Sequence, residues 1–241
     1  TPSTAVVDGD SALGMIAGKR SMEIAIEKAK VCGTGWVSTC NSNHFGIAGF
    51  YSMMALEHDM IGICMTNANP LVAPTFSVDR LLGTNPIAVA IPAGKFPPMV
   101  ADFATTPIAR GKLDIMHKKG LSAPLGYVQD KEGNASTDPN ILTQGGAIVP
   151  LGGDYEHGSH KGYCLGAIVD IFSAVLSGAN WGPWVPPSVA YLQVKEGAPG
   201  KGTGHFFGAM RIDAFRTADE FKQEMDAWIE RFKSSKTAEG K

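Results

Sequence analysis

The fold is decided by residues 35–66, which read GWVSTCNSNHFGIAGFYSMMALEHDMIGICMT. The run 35–40 has the β-branched and aromatic bias of a short strand, and residues 47–58 are rich in helix formers. Residues 60–66 form a second strand-like apolar run, which ends where asparagine and proline follow, because proline donates no ladder hydrogen bond. This stretch therefore predicts a strand–helix–strand unit.

His44 lies on the turn between the first strand and the helix. Loops held by rigid elements carry a large share of catalytic groups, and imidazole titrates near neutrality. Gly46 and Gly49 remove side-chain bulk beside it, so that another backbone or a ligand can approach closely. Two interpretations follow from the pattern: His44 is a general acid or base, or it merely caps the helix or bonds the backbone.

The same periodicities predict further elements on both sides of this unit. They are a strand at 4–8, a helix within 14–32, strands at 86–92 and 99–104, a helix at 107–119 capped by Thr105 or Thr106, a hairpin turn at 130–134, a deeply buried helix at 161–176 and a strand at 205–212. A capping box, Thr217 to Glu220, begins a C-terminal helix. Five of its residues repeat at helical spacing and are expected to contact the core: Phe221, Met225, Trp228, Ile229 and Phe232.

Composition excludes several classes of function. The chain has 241 residues, 44% of them hydrophobic and 18% charged, as expected of a soluble globular protein with a sizeable core. A formal net charge of -2 with scattered lysines and arginines does not favour a nucleic-acid partner. The longest apolar runs, such as 86–93 and 167–176, are too short or too interrupted to cross a membrane.

The cysteines at 32, 40, 64 and 164 are spaced too widely for a CxxC pair. Three of them lie in apolar stretches, which favours reduced thiols that serve as small core residues. A cytoplasmic location is the corresponding expectation.

Common nucleotide and hydrolase motifs are missing from the sequence. No GxGxxG follows a predicted strand, and the glycines of residues 200–204 have the wrong spacing for it, so a Rossmann domain is not expected. There is also no Walker loop, serine elbow or HExxH pair.

Residues 154–160, DYEHGSH, offer carboxylates and imidazoles, but a glycine-rich loop gives no fixed ligand geometry, so a metal site is disfavoured. Lys161, at a predicted helix start, suits an anion such as a phosphate, although an ordinary surface lysine is the simpler interpretation.

Five short motifs occur in order along the chain: SNHFG at 42–46, TNANP at 66–70, GTNP at 83–86, DFAT at 102–105 and HKGY at 160–163. In combination they resemble the type-2 malate/L-lactate dehydrogenase family, over about residues 4–215. The resemblance implies an α/β, non-Rossmann fold with a mixed, largely antiparallel sheet flanked by helices. It implies NAD- or NADP-dependent interconversion of a small 2-hydroxy acid and its 2-oxo acid, in a homodimer whose active site lies near the subunit boundary.

The resemblance also assigns roles to residues. His44 becomes the proton donor or acceptor, and His205 a further pocket neighbour. Asp102 could contact the cofactor, orient His44 or simply end a strand. The cofactor contacts that the family pattern implies are Asn67, Ala68, Asp102, Phe103, Ala104 and Lys161.

Residues 1–216 are expected to form the catalytic and NAD(P)-binding domain, and 217–241 a helix that packs back on it. The family's N-terminal helical segment, with a Ser-His-Gly motif and an arginine, is not among these residues, so Arg80, Arg110 and Arg211 are the internal candidates for the substrate carboxylate. Malate is the first substrate expected. The alternatives are a cyclic imino acid whose C=N bond is reduced, and a truncated paralogue that binds nucleotide without catalysis.

Overall fold

A six-stranded sheet forms the centre of the protein in the computed structural model, which describes residues 1–188 and 195–240. The strands in chain order are β1 (Thr4–Asp8), β2 (Thr34–Ser42), β3 (Met60–Thr66), β4 (Ile87–Ile91), β5 (Met99–Phe103), β6 (Val128–Gln129), β7 (Ala135–Ser136), β8 (Ala147–Ile148) and β9 (Thr203–Arg211). The helices are α1 (Gly14–Cys32), α2 (Ala48–Met54), α3 (Arg110–Lys118), α4 (Ser159–Asp170) and α5 (Ala218–Lys233).

The order in the large sheet is β1-β2-β9-β3-β4-β5. Only β1 and β2 pair in parallel, and the other four neighbouring pairs are antiparallel. The predicted mixed, largely antiparallel sheet is therefore confirmed. The strand–helix–strand unit is also present, with β9 inserted between its two strands.

Helices α1 and α2 cover the sheet and enclose the main core, which includes Met22, Val37, Phe45, Tyr51 and Phe207. Helix α1 ends at Gly33, whose φ of +83° lets its N–H bond the carbonyl of Ala29. The chain then turns directly into β2. A Cβ at Gly35 would lie 2.0 Å from the carbonyl oxygen of Ala25, so only glycine permits α1 to approach β2 this closely.

A second, smaller unit contains α3 and the three-stranded sheet β7-β6-β8. Its core is a separate apolar cluster that includes Val72, Leu113, Val128 and Ile148. The expected turn at 130–134 is present between β6 and β7, where Asp130 accepts hydrogen bonds from Glu132 and Asn134.

The prediction of a deeply buried helix at 161–176 is wrong. Helix α4 begins at Ser159, and a π-helix, Ile171–Val175, continues it. Its large apolar side chains are 37–59% exposed: Leu165, Ile168, Ile171, Phe172, Val175 and Leu176. Small residues such as Gly162, Gly166 and Ala174 face inward instead, because they let the helix backbone approach its neighbours.

The capping box of α5 is confirmed, since the Thr217 hydroxyl accepts a hydrogen bond from the Glu220 N–H. The expected core contacts of its aromatic residues are wrong. No residue of α5 is buried, and Trp228 and Phe232 are 43% and 60% exposed while their rings stack on each other. The helix is held at the surface, where Asp226 accepts backbone hydrogen bonds from residues 94–96.

The prediction of core cysteines holds for Cys64 alone, which has no exposed surface. Cys32 and Cys164 are exposed, because one ends α1 and the other lies on the outer face of α4, and Cys40 is partly buried. Among residues 1–188 and 195–240, no helix combines the length and hydropathy that a bilayer crossing requires.

Candidate active site

The large sheet brings the predicted site residues to one edge. Because β2, β3 and β5 run in the same direction and β4 and β9 run against them, the ends of the first three meet the starts of the other two. In the strand registers Thr66 pairs with His205, and Ile87 with Phe103. We call this the site edge, formed by the residues at and just beyond these strand ends: Ser42 to Gly46, Thr66 to Ala68, Asp102 to Ala104 and Thr203 to His205.

His44 lies exposed on the segment between β2 and α2. Its Nδ1 accepts a hydrogen bond of 3.2 Å from the N–H of Gly46, which places the proton of the neutral ring on Nε2. Gly46 has a φ of +85°, and a Cβ built there would meet no atom within 4 Å. The space beside Gly46 is therefore open, and the exposed His44 is accessible to a ligand.

The residues beside His44 are firmly held, although His44 itself is not. Phe45 is buried, its ring stacks on that of Tyr51, and the Tyr51 hydroxyl donates a hydrogen bond to the Phe45 carbonyl. Asn43 Nδ2 donates 2.9 Å hydrogen bonds to the carbonyls of Ser11 and Ala12. The loop therefore carries an accessible imidazole on a fixed backbone.

His205 lies behind this loop and has no exposed surface. Its Nδ1 is 2.7 Å from Thr66 Oγ1, and its Nε2 is 2.9 Å from Ser42 Oγ. Burial lowers the pKa of His205 to about 3; the Asn43 backbone acts against this shift, and the charge of His44 adds to it. The ring is enclosed by protein, so it offers no surface for the expected direct contact with a cofactor.

Both polar atoms of the Asn67 side chain form hydrogen bonds within the protein. Its Nδ2 donates to Asp170 Oδ1 at 2.9 Å and to the Asn180 carbonyl at 2.8 Å, and its Oδ1 accepts from the Gly204 N–H at 3.0 Å. Burial raises the pKa of Asp170, against the hydrogen bonds that it accepts from Asn67 and from Gly182. Its backbone is used as well, because its N–H donates to the Gly204 carbonyl at 3.3 Å and its carbonyl accepts from Thr66 Oγ1 at 3.1 Å. Asn67 therefore fixes the chain at the site edge.

Ala68 is placed by the GTNP motif. A Cβ at Gly83 would lie 2.2 Å from the Ala68 carbonyl oxygen, and Asn85 Oδ1 accepts the Ala68 N–H at 3.0 Å. Asn85 Nδ2 in turn donates to the Gly166 carbonyl in α4. The glycine and asparagine of this motif therefore fix the chain that follows β3 against α4.

Asp102 is exposed at the end of β5, where its Oδ2 accepts the Gly49 N–H at 2.8 Å. A Cβ at Gly49 would come within 2.8 Å of the same oxygen, so the glycine makes this contact possible. Asp102 thus ties β5 to the helix that follows His44. Phe103, 43% exposed, and the partly buried Ala104 come next along the chain.

The predicted helix cap at Thr105 or Thr106 is wrong. Helix α3 begins only at Arg110, and its N-cap residue makes no side-chain hydrogen bond. Thr105 Oγ1 instead donates to the carbonyls of Thr84 and Asn85 at 3.2 and 3.1 Å. This threonine joins the DFAT and GTNP motifs.

Lys161 lies apart from the site edge. It is exposed in the first turn of α4. Five residues later, α4 contacts the site-edge strand end at Gly166, where an added Cβ would lie 3.2 Å from Thr105 Oγ1. Five helical residues separate the two positions by about 7.5 Å along the axis. A single extended ligand could bridge this distance.

The three candidate arginines make structural contacts away from the site edge. Arg80 donates to the carbonyls of Gly146 and Leu142, and burial lowers its pKa. Arg110 pairs with Asp114, and Arg211 with Asp213. None of them is placed at the site edge to bind a substrate carboxylate.

A cavity of about 790 Å³ is lined mostly by the loop residues 73–78, 125–135 and 149–157. Pro107, three residues after Ala104, and Ser159, two residues before Lys161, both line it. Ligand sites have volumes of about 300–1,000 Å³, so its size suits a nucleotide. Neither this cavity nor two smaller ones in the described residues is lined by His44, which lies on an open surface.

Sequence analysis missed two aromatic residues at this cavity, Phe76 and Tyr155. Phe76 is 86% exposed with a φ of +71°, and its ring centroid is 5.1 Å from that of Tyr155. Exposed aromatics in glycine- and proline-rich loops were the available signal. Nearby, His157 Nδ1 is 2.6 Å from Asp154 Oδ1, but the described part of the chain holds no cluster of three metal-ligating groups.

A sequence model of the malate/L-lactate dehydrogenase family matches residues 1–241. The chain belongs to this family. Dehydrogenases of the family use nicotinamide cofactors. Three of the five motifs are joined in this chain, because Asn85 of GTNP binds Ala68 of TNANP and Thr105 of DFAT binds two carbonyls of GTNP.

Individual relatives agree with this assignment. The chain is 46% identical over 236 residues to the malate dehydrogenase of Pyrococcus horikoshii, covering 98% of this chain and 63% of that protein. It is 40% identical over 249 residues to the L-sulfolactate dehydrogenase of Methanocaldococcus jannaschii, covering 100% of this chain and 65% of the relative. The chain thus spans less than two thirds of the length of either relative.

Solved structures share the fold. The malate dehydrogenase of Entamoeba histolytica superimposes with a TM-score of 0.90 at 37% identity, over 100% of this chain and 67% of its own. The delta1-piperideine-2-carboxylate reductase of Pseudomonas syringae gives 0.82 at 26% identity, over 100% of this chain and 69% of its own.

Proposed function

We propose that the protein carrying this chain transfers a hydride between NAD(P)H and a small 2-oxo acid, with oxaloacetate and malate as the first pair. The observation that carries the proposal is the exposed His44 on a rigid loop at the site edge, beside the backbone segments that the family motifs assign to the cofactor. The substrate belongs to this proposal because the relatives named above are malate and sulfolactate dehydrogenases.

The residues present fit a nicotinamide dinucleotide. Phe103, Ala104 and Ala68 would hold its nicotinamide end at the site edge, where Asn67 fixes the chain, and the ammonium group of Lys161 would attract a phosphate at the start of α4. The aromatic cavity, which Ser159 of α4 and Pro107 also line, offers Phe76 for stacking. The bound cofactor would supply the hydride.

His44 supplies the proton. In reduction of a 2-oxo acid its imidazolium donates a proton to the substrate's carbonyl oxygen, and in oxidation the neutral ring accepts the hydroxyl proton. Its exposure lets a substrate reach the ring, and its held neighbours reduce the entropy lost in positioning it.

A cyclic imino acid is the second candidate substrate, favoured by the likeness to the piperideine-2-carboxylate reductase. In that reaction the hydride would go to the imine carbon, and His44 would donate the proton to the imine nitrogen. Nothing at the site edge selects between the two substrates.

A second copy of this chain is the proposed partner. Six large apolar side chains on α4 and its π-helical extension are 37–59% exposed. An exposed apolar face of this size is typical of a protein–protein interface.

A cytoplasmic location is also proposed. All four cysteines carry free thiols, which suits the reducing cytoplasm.

Calorimetric titration of the intact protein with NADH and with NADPH tests the cofactor. We expect one of them to bind, and to bind more weakly after Lys161→Gln; absence of binding by either would refute the dehydrogenase proposal and favour a different role for the fold. Cofactor oxidation with oxaloacetate, sulfopyruvate or Δ1-piperideine-2-carboxylate then identifies the substrate. Turnover of the imino acid alone would replace the first substrate assignment by the second.

A further inference from the structure

Two residues on either side of His44 contact the same buried side chain, that of His205. Ser42, two residues before His44, lies with its Oγ 2.9 Å from His205 Nε2. Phe45, the next residue after His44, stacks its ring on His205, with centroids 4.6 Å apart and planes inclined by 8°. The exposed imidazole therefore lies between two residues that both contact the enclosed one.

Both ring nitrogens of His205 have a hydroxyl partner. Thr66 Oγ1, which also lies 2.9 Å from the Gly204 carbonyl, is 2.7 Å from Nδ1. Ser42 Oγ, which also lies 3.5 Å from the Asn43 carbonyl, is 2.9 Å from Nε2. Each hydroxyl can donate or accept, so a neutral ring with its hydrogen on either nitrogen satisfies this chain of contacts.

His205 also relates the position of the His44 loop to the large sheet. His205 belongs to β9, and it pairs with Thr66 of β3 on one side and Thr39 of β2 on the other. It is therefore one of the most rigidly placed side chains at the site edge. Ser42 and Phe45, which contact His205, are therefore positioned relative to two strands. These are β3, where the TNANP motif begins, and β2, which leads to His44.

We propose that His205 is a positioning residue, which holds His44 in its orientation for proton transfer through the Ser42 hydroxyl and the Phe45 ring. The proposal rests on the proposed role of His44 and goes beyond it, because no contact of His205 with substrate or cofactor is required. His205 remains neutral throughout, and so adds no positive charge beside the imidazole that must gain and lose a proton.

The titratable groups in the core that contains Phe45 are Tyr51 on α2 and Cys64 on β3. Burial raises the pKa of Tyr51 to about 12 and also raises the pKa of Cys64, so neither group changes charge near neutrality. Asp102 on β5 binds Gly49, and Asp170 on α4, whose pKa burial raises, binds Asn67. The ring signal of His44 separates its own titration from that of these carboxylates.

The test uses Ser42→Ala, which removes the hydroxyl link and leaves both histidines, and His205→Gln, whose amide can still meet Ser42 but cannot stack on Phe45. Ser21→Ala is the matched control, because it also removes a buried hydroxyl contact to β2, the 2.8 Å contact with Thr39 beside His205, but leaves Ser42, Phe45 and both histidines in place. We expect Ser42→Ala to lower kcat about tenfold or more with little change in KM, and to shift the pH profile of kcat/KM. Ser21→Ala should change neither parameter beyond its effect on stability.

Nuclear magnetic resonance of the histidine ring nitrogens in the intact protein gives a reading that does not need turnover. We expect His205 to show a neutral ring, and the His44 signal to move and broaden in Ser42→Ala and His205→Gln but not in Ser21→Ala. An unmoved His44 signal in both variants, or wild-type kcat and pH profile in both, would overturn the positioning role. If the wild-type protein turned over no substrate, the proposed function would fail, and the His44 signal would still decide whether His205 positions the loop.

Discussion

The buried, neutral His205 should make the protein lose stability as the pH falls through the weakly acidic range. Its pKa is lowered from 6.5 to about 3, so the unfolded chain binds a proton at a pH where the folded chain does not. The stabilisation is then complete above pH 6.5 and is lost as the pH falls towards 3. His205→Gln should abolish this contribution.

The magnitude follows from the size of the shift. A difference of about 3.5 pKa units corresponds to about 5 kcal/mol across the full range, and between pH 7.5 and pH 5 the loss is about 2 kcal/mol. For a chain of this size such a loss lowers Tm by about 4–8 °C. The acidic groups whose pKa is lowered, such as Asp130 and Asp213, titrate mainly below this window.

The assay is guanidinium chloride unfolding at pH 7.5 and pH 5 for the wild type, His205→Gln and His117→Gln. His117 is exposed on α3, so its variant controls for the loss of a histidine as such. Asp170, whose pKa burial raises, contributes in the opposite direction but equally in all three proteins. If the wild type and His205→Gln lost the same free energy of unfolding between the two pH values, the reasoning from burial would be wrong.

Three further predictions concern single contacts. Gly35→Ala should lower the free energy of unfolding by about 3 kcal/mol, because its Cβ would lie 2.0 Å from a carbonyl oxygen of α1. Gly111→Ala, whose Cβ would meet no atom within 4 Å, should not destabilise the protein, and equal denaturation midpoints for the two variants would contradict this. Asp102→Ala should lower the free energy of unfolding by about 1 kcal/mol, because the Gly49 N–H loses its acceptor. Asp102→Asn should lower it less, since an amide oxygen can still accept this hydrogen bond, and equal losses in thermal unfolding would exclude a stabilising role for the Asp102–Gly49 contact. Phe76→Asn should leave stability unchanged or raise it by up to about 1 kcal/mol, because Phe76 is 86% exposed at a φ of +71°, yet should weaken NADH or NADPH binding in calorimetry; unchanged affinity would remove Phe76 from the proposed cradle.

Local sequence patterns predicted those parts of the fold that depend on neighbouring residues. The strand–helix–strand unit around His44 and the Thr217 cap of α5 follow from periodicity and capping chemistry, and both are present. The order of the sheet could not be predicted in this way. Strand β9 comes from the far end of the chain and lies between β2 and β3, and no local pattern encodes such a long-range pairing.

The candidate site was predictable in its members but not in their surroundings. The motifs named His44 and Asp102, but only the folded chain shows that Asp102 binds the N–H of Gly49. His205 was expected to border a pocket, whereas it is enclosed, because a sequence does not show what covers a side chain. For the same reason the apolar residues of α4 were taken for core, although its glycines face inward.

The central claim is that the exposed imidazole of His44 moves the proton while other residues hold the cofactor. Its most direct test measures turnover and cofactor affinity together in His44→Ala, with His117→Ala as the control. We predict that kcat falls by about 10²–10⁴-fold while the Kd for NADH or NADPH changes little. Turnover at the wild-type rate in His44→Ala would contradict the account.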